Sequence, residues 1–412
     1  MNKIYSGSYF IILSSIILII SGCSGTSRYT ERKNVSAEPN YVPIRVLISD
    51  NDNNLIYKVE NPIFLYSEGK EIAIVKKGNI LTFSPEGSSL NLTISGRAFY
   101  GKYFELKSDG TNNKISYKGK EYRGYLKIIA DENSVKVINR ISLEDYLKGV
   151  VPAEMPIGPG TSYFQALKAF AICARTYAVM KMGNNNSLFD VYLDTRDQVY
   201  SGADAERLLS DKAVDETKNL ILAYEGKPAI VFYSAACGGH TGNASNVFKG
   251  TDEPYLQGVK DGDPPNCSIE PHFIWTEKYS EKIFIDRLKS AGYVRDNNYK
   301  LIDVKVESRF KSGRVNDLQI ILVSDKGNKK IININGNNIR SVIRTADDKH
   351  ILRSTMFNIY KNNNGDVIID GKGNGHGVGL CQWGAINQSI EGRNYKQILS
   401  YYFPGTEIQE LK

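Results

Sequence analysis

Short alternating or β-branched runs fill the chain from Ile44 to about Asn139: Ile44–Ile48, Ile63–Tyr66, Ile72–Val75, Leu90–Ile94, Leu126–Ile129 and Val135–Ile138. Glu-Gly, Lys-Gly, Asp-Gly and Ser-Gly pairs separate them, and together these signals predict a β-rich region. From Leu143 to about Asp215 the apolar period becomes helical. Thr161 or Ser162, after Pro159-Gly160, is placed to cap a helix with Phe164, Leu167, Phe170, Ala171, Ala174, Tyr177 and Ala178 on one stripe. That helix is expected to end near Gly183 and the Asn184-Asn185-Asn186 loop. Beyond Leu220, strands at Ala229–Phe232, Leu301–Val306 and Leu318–Val323 mix with helices near Ser280–Ala291 and Gly384–Ser389. No repeat at solenoid period is visible. Segregated rather than regularly alternating elements predict an α+β class, with a β-rich part at 44–139 and a mixed helix and strand part at 140–412.

The first forty residues follow a different pattern. After Lys3 the apolar run from Tyr9 to Ile20 is 12 residues long, whereas a membrane helix needs about 20. The run suits the core of an export signal over residues 1–22. Ile20-Ser21-Gly22-Cys23 resembles a bacterial lipoprotein cleavage box, which makes Cys23 the expected lipid-bearing residue. The alternative is an uncleaved N-terminal anchor, and either way the rest is expected outside the cytoplasm. Residues 23–43 are polar and turn-rich and read as a tether.

About 370 residues follow the tether, enough for one large domain or two intimate ones. The formal charge of +7 comes from 52 basic and 45 acidic residues mixed along the chain, which argues against a nucleic-acid binder with its single basic stripe. It is compatible with an anionic wall polymer. The 26 tyrosines are mostly explained by strands.

Candidate chemistry begins at Glu154, the one ionisable residue in Gly149-Val150-Val151-Pro152-Ala153-Glu154-Met155-Pro156-Ile157. The prolines are expected to stiffen the chain and push the residues before them toward extended geometry. Apolar neighbours would desolvate the carboxyl and raise its pKa, as a general acid requires near neutral pH. The other reading is a solvated Glu in a Pro-rich turn.

The rarest residues form a second set. Cys237-Gly238-Gly239-His240 and Cys267-Ser268-Ile269-Glu270-Pro271-His272 supply Cys237, His240, Cys267 and His272, the ligand number and type of a closed structural zinc site. Four protein ligands would leave no open position for catalysis. The alternative is a Cys237–Cys267 disulfide closing a loop of about 30 residues, worth roughly 3.6 kcal/mol by chain entropy.

A third motif runs Gly371-Lys372-Gly373-Asn374-Gly375-His376-Gly377-Val378-Gly379-Leu380-Cys381-Gln382-Trp383-Gly384-Ala385. A dinucleotide fingerprint is excluded, because about 30 residues remain, too few to complete a βαβ unit. The glycines instead let the backbone approach a ligand, with His376, Gln382 and Trp383 nearby.

Ile141 to Pro156, Gln165-Ala166-Leu167-Lys168-Ala169 with Ala174-Arg175-Thr176-Tyr177-Ala178, Gly238-Gly239-His240-Thr241 and Gly375 to Ala385 resemble, in order and spacing, the SpoIID/LytB family. Tyr122-Arg123-Gly124 and Ser312-Gly313-Arg314-Val315 also fit, so the resemblance covers roughly Ile44 to Gly405. It implies peptidoglycan processing, either as a lytic transglycosylase cutting glycan strands stripped of stem peptides or as an enhancer of a cell-wall amidase. The family's catalytic glutamate falls on Glu154, and Arg175, Tyr177, His376, Gln382 and Trp383 become expected substrate contacts. Arg175 has a structural alternative, as the anchor of a loop. Relatives can carry zinc near Cys237 and His240. Two positions depart from the family: Tyr233, where many relatives have histidine, and Cys381, where many have serine. Partners implied are glycan strands, the membrane through Cys23, and an amidase.

Overall fold

The computed structural model describes residues 43–110, 113–183, 187–295 and 298–411. The expected signal, Cys23, the tether up to residue 42 and the Asn184-Asn185-Asn186 loop lie outside the described residues. The class is α+β, as the patterning predicts.

The six runs read from the N-terminal part all lie in strands, and the sequence pattern misses those with weaker alternation. A seven-stranded sheet runs in the order Val191–Tyr192, Ile44–Asp52, Ser134–Ile141, Tyr125–Asp131, Tyr103–Ser108, Ile63–Ser67, Lys70–Val75. Its neighbours are antiparallel except at Val191–Tyr192, which runs parallel to Ile44–Asp52. Period two puts Ile44, Val46, Leu65, Leu106, Leu126, Ile128, Val135 and Val137 on one buried face. A four-stranded sheet, Leu55–Lys58, Ile80–Glu86, Ser89–Ile94 and Arg97–Gly101, covers that face. Phe83 meets Phe104 there at 5.7 Å between ring centroids. Arg97–Gly101 escapes the pattern because an edge strand buries little.

The same core continues into helices α1 (Leu143–Glu154), α2 (Phe164–Lys181) and α3 (Leu208–Asp215). Ser142 caps α1 by accepting the Asp145 amide at 3.0 Å, with Glu144 and Asp145 in the first turn where the helix dipole favours acids. The chain is helical through Pro152 to Glu154, not extended as the prolines suggested. A proline near a helix end disturbs little, and only Met155, directly before Pro156, takes the extended form at φ −126° and ψ 141°. Gly149 lies in this helix against the Tyr200 ring. A Cβ there would sit 2.5 Å from the ring, so Gly149→Ala should cost about 1–3 kcal/mol by overpacking, measured by chemical denaturation.

Helix α2 does not present one apolar stripe. It is buried on almost every side, packed by α1, α3 and two later helices, and neither Thr161 nor Ser162 caps it. The Ser162 hydroxyl donates instead to the Pro159 carbonyl at 2.9 Å.

A second hydrophobic core forms between Trp275 and Ile369. Here α4 (Glu281–Ser290) and α5 (Asn338–Ile343) pack with two three-stranded sheets, Tyr299–Arg309, Val315–Ser324, Lys329–Asn335 and Ile274–Tyr279, Val367–Lys372, Phe357–Lys361. The chain then returns to the first core through α6 (Gln382–Ile390) and α7 (Tyr395–Tyr402). Ala229–Phe232 is not a strand. Lys227–Pro228 pairs with Leu220–Tyr224 and Tyr233–Ser234 pairs with Leu380–Cys381, so the segment between them is the crossing from one sheet to another.

Candidate functional site

Glu154 ends helix α1 and is half-buried. Its Oε1 accepts the Val199 amide at 2.7 Å and the Tyr233 hydroxyl at 3.4 Å. Gln382, from the first turn of α6, donates its side-chain amide to the Glu154 carbonyl at 3.1 Å. Three distant segments therefore hold this residue in place. Burial pushes its carboxyl above the ordinary Glu value, and the bonds from Val199 and Tyr233 pull back against that rise.

Tyr233 is itself fixed. Its hydroxyl accepts from the Gln198 side chain at 3.2 Å, and the Gln198 carbonyl accepts from Tyr146 at 3.2 Å. Burial first, and the Glu154 charge second, raise the Tyr233 phenol well above its usual value, so it stays protonated and donates to the carboxylate. Gln198 and Val199 carry no spacing or composition signal in the sequence. Tyr233 is visible there only as a departure from the family pattern.

Because burial raises its pKa, Glu154 holds its proton to higher pH in the folded protein than in the unfolded chain. Stability contributed by the group is therefore lost as pH rises from the unfolded value through the folded one. Glu154→Gln should accordingly raise Tm more near about pH 7 than near about pH 4, measured by calorimetry. Equal shifts at both pH values would contradict it.

The other expected contacts divide. Gln382 reaches Glu154, and Trp383 follows it, half-buried, with its backbone N–H on the Ala235 carbonyl at 3.0 Å. Arg175 is turned inward. It is wholly buried, paired through two nitrogens with Glu144 at 2.7 and 2.9 Å, and donates to the Leu220 and Val214 carbonyls. This is the anchoring geometry, and it corrects the expectation of substrate contact. Tyr177 donates to Asp197 at 2.8 Å and braces the segment that carries Val199. His376 accepts the Val378 amide on Nδ1 at 3.1 Å, bonds the Tyr233 backbone, and packs edge-on against Phe248. Burial, with the Arg314 and Arg340 charges, pulls its pKa down to about 3 and keeps the ring neutral. Nδ1 is thus occupied by the backbone of its own loop, and the ring serves there as loop support rather than as the expected ligand contact.

The cysteines assemble differently from the expected Cys₂His₂ set. Cys237, Asp261, Cys267 and Cys381, all fully buried, bring one ligand atom each within 4.8 Å of one another, a cluster able to hold a metal. The Cys237 and Cys267 sulfurs are 3.7 Å apart and unbonded. His240 lies outside the cluster, with Nδ1 2.7 Å from the Thr241 carbonyl oxygen, and His272 is exposed. Gly238 and Gly239, at φ +84° and +111°, turn the chain so that His240 leaves the side occupied by the Cys237 sulfur. Cys381 takes part because Leu380–Cys381 pairs with Tyr233–Ser234, and its sulfur accepts the Cys237 amide at 3.2 Å. Asp261 gives no spacing signal in the sequence.

A family profile described as stage II sporulation protein, SpoIID, matches residues 131–224, and a domain of unknown function matches 266–379, the region of the second core. An uncharacterised protein of Brachyspira hyodysenteriae is 35% identical over 89% of this chain and 92% of its own length. The amidase enhancer of Bacillus subtilis is 29% identical over 79% of this chain, which spans 50% of that relative. Stage II sporulation protein D of Bacillus amyloliquefaciens is 29% identical over 66% of this chain and 76% of its own. With Glu154, Gln382 and the glycine-rich loop meeting as described, and with these matches along its length, the chain belongs to the SpoIID family.

Proposed function

We propose that this protein is a lytic transglycosylase of peptidoglycan glycan strands free of stem peptides, with Glu154 as its acid and base. The observation that carries the proposal is a half-buried carboxyl with a raised pKa, held by Val199 and Tyr233, while the nearby Asp197 is already engaged by Tyr177, the Tyr192 amide and Lys181. Glycosidases that use water need two carboxyl groups about 5–9.5 Å apart. Glu144 precedes Glu154 by ten residues on α1, about 15 Å of helix, and its carboxylate is held by Arg175. Asp145 precedes Glu154 by nine residues on α1, about 13.5 Å of helix, and accepts the Ser142 hydroxyl at 2.7 Å. A single carboxyl suffices where the sugar's own 6-hydroxyl attacks. Glu154 protonates the glycosidic oxygen as the C1–O bond breaks. As carboxylate it then takes the proton from the 6-hydroxyl, whose oxygen closes on C1 to leave a 1,6-anhydro-muramyl end.

The same reading puts the protein outside the cytoplasm, anchored by lipid at Cys23, with 44–139 and 140–412 as two parts of one wall-facing region. Zinc is the structural ion assigned to the cysteine cluster. The second reading, favoured by the relative named amidase enhancer, is a glycan-binding partner of an amidase without cleavage of its own. Mass spectrometry of stripped glycan strands incubated with the purified protein separates the two. Anhydro-muramyl ends are expected; intact strands together with faster release of stem peptides by an added amidase would transfer the function to the second reading.

A further inference from the structure

The cysteine cluster draws on three separate stretches of the chain. Cys237 follows the Tyr233–Ser234 strand, Asp261 and Cys267 lie on either side of a cis Asp263-Pro264 bond, and Cys381 is the residue capping α6. The 3.7 Å between the Cys237 and Cys267 sulfurs agrees with the edge of about 3.8 Å for two thiolates bound at about 2.3 Å to one tetrahedral ion. Asp261 is oriented on both oxygens, accepting the Tyr402 hydroxyl at 2.6 Å and the Cys267 amide at 2.9 Å. Such outer bonds are what set a ligating carboxylate.

Arg314, reaching in from the second core's loop, is the independent observation. Its guanidinium is enclosed, donating from Nη2 to the Cys237 carbonyl at 2.6 Å, while Nε and Nη1 have no hydrogen-bond partner. Among the described residues no salt bridge joins it to a carboxylate. A buried cation persists only where an anion compensates it. Neutral thiols cannot do that, whereas metal-bound thiolates are permanent anions. Three thiolates and a carboxylate around a divalent ion leave two negative charges, and Arg314 offsets one. The chain keeps room for the guanidinium at Gly377, φ +75°, where a Cβ would stand 1.9 Å from Nη2.

We infer that Cys237, Asp261, Cys267 and Cys381 form a closed zinc centre with Arg314 as its internal counter-cation, and that the centre holds the start of α6 so that Gln382 fixes Glu154. As the ion binds, any proton still held on the three sulfurs is released to solvent. His240 and His272 take no part in it. The link to Glu154 rests on the function proposed above; the ligand set does not.

The test is metal analysis of the full chain purified under reducing conditions and supplied with zinc, then with cobalt. One ion per chain is expected, with cobalt giving strong thiolate-to-metal absorption. Cys267→Ser and Cys381→Ser should lose the ion, and His240→Ala and His272→Ala should keep it. Loss in either histidine variant, or a mass two hydrogens short with no metal, overturns the centre. Should the cysteine variants fail to fold, the cobalt spectrum of the unaltered chain still decides, since weak thiolate absorption overturns the set. Arg314→Met should weaken zinc about 10–100-fold in competition with a chromophoric chelator, and unchanged affinity removes its role. Chelation should speed hydrogen exchange at residues 149–155, and unchanged exchange breaks the link to Glu154. A chain that binds zinc and passes the exchange test yet cuts no glycan overturns the enzymatic reading and leaves the centre standing.

Discussion

Glu154→Gln is expected to reduce release of anhydro-muramyl ends from stripped glycan by about 10²–10⁴-fold, the usual range for removing a general acid and base. Gln is nearly isosteric, and its carbonyl oxygen still accepts from Val199 and Tyr233, so the fold is retained. What disappears is the transferable proton. Product release is measured by mass spectrometry beside a far-ultraviolet dichroism spectrum that reports the fold, and unchanged release at unchanged fold removes Glu154 from the chemistry. Tyr233→Phe supplies a finer reading. The Tyr233 hydroxyl lowers the Glu154 pKa against the dominant effect of burial. Removing it should move the limb of the pH–rate profile that reports the free acid to higher pH.

Glu144→Ala is expected to destabilise the protein by about 3–5 kcal/mol, because it leaves the Arg175 charge buried without a carboxylate. The Arg175 side chain is 0% exposed, whereas that of Glu144 is 20% exposed. Removing the arginine instead, as in Arg175→Met, strands an anion that water can reach, and should cost less. Urea unfolding of both variants checks the order, and equal or reversed losses would refute the account. The pair joins the first turn of α1 to the middle of α2, so its loss should also loosen the helix that ends at Glu154.

Local patterns were sufficient for a good part of this. Alternation at Ile44, Leu126 and Val135 marked strands because each sheet has one dry face, and the change to a helical apolar period from Leu143 marked the region of α1. Glu154 stood out through apolar, proline-bounded neighbours that act over a few residues. The Gly375–Ala385 run drew notice through composition alone.

What no local pattern carried was the pairing of distant segments. Whether Arg175 meets a ligand or Glu144 depends on α1 crossing α2, and whether Cys237 lies beside His240 or Cys381 depends on the pairing of Tyr233–Ser234 with Leu380–Cys381, far along the chain. The carboxyl's chemistry was legible in its residue type, while its environment came from Val199, Tyr233 and Gln382, which only folding brings together. Side-chain identity and short-range periodicity set which elements form, since those are decided within a turn or a pleat. Desolvation, ligand sets and charge partners are properties of packed neighbours, and the tertiary structure alone decides who those neighbours are.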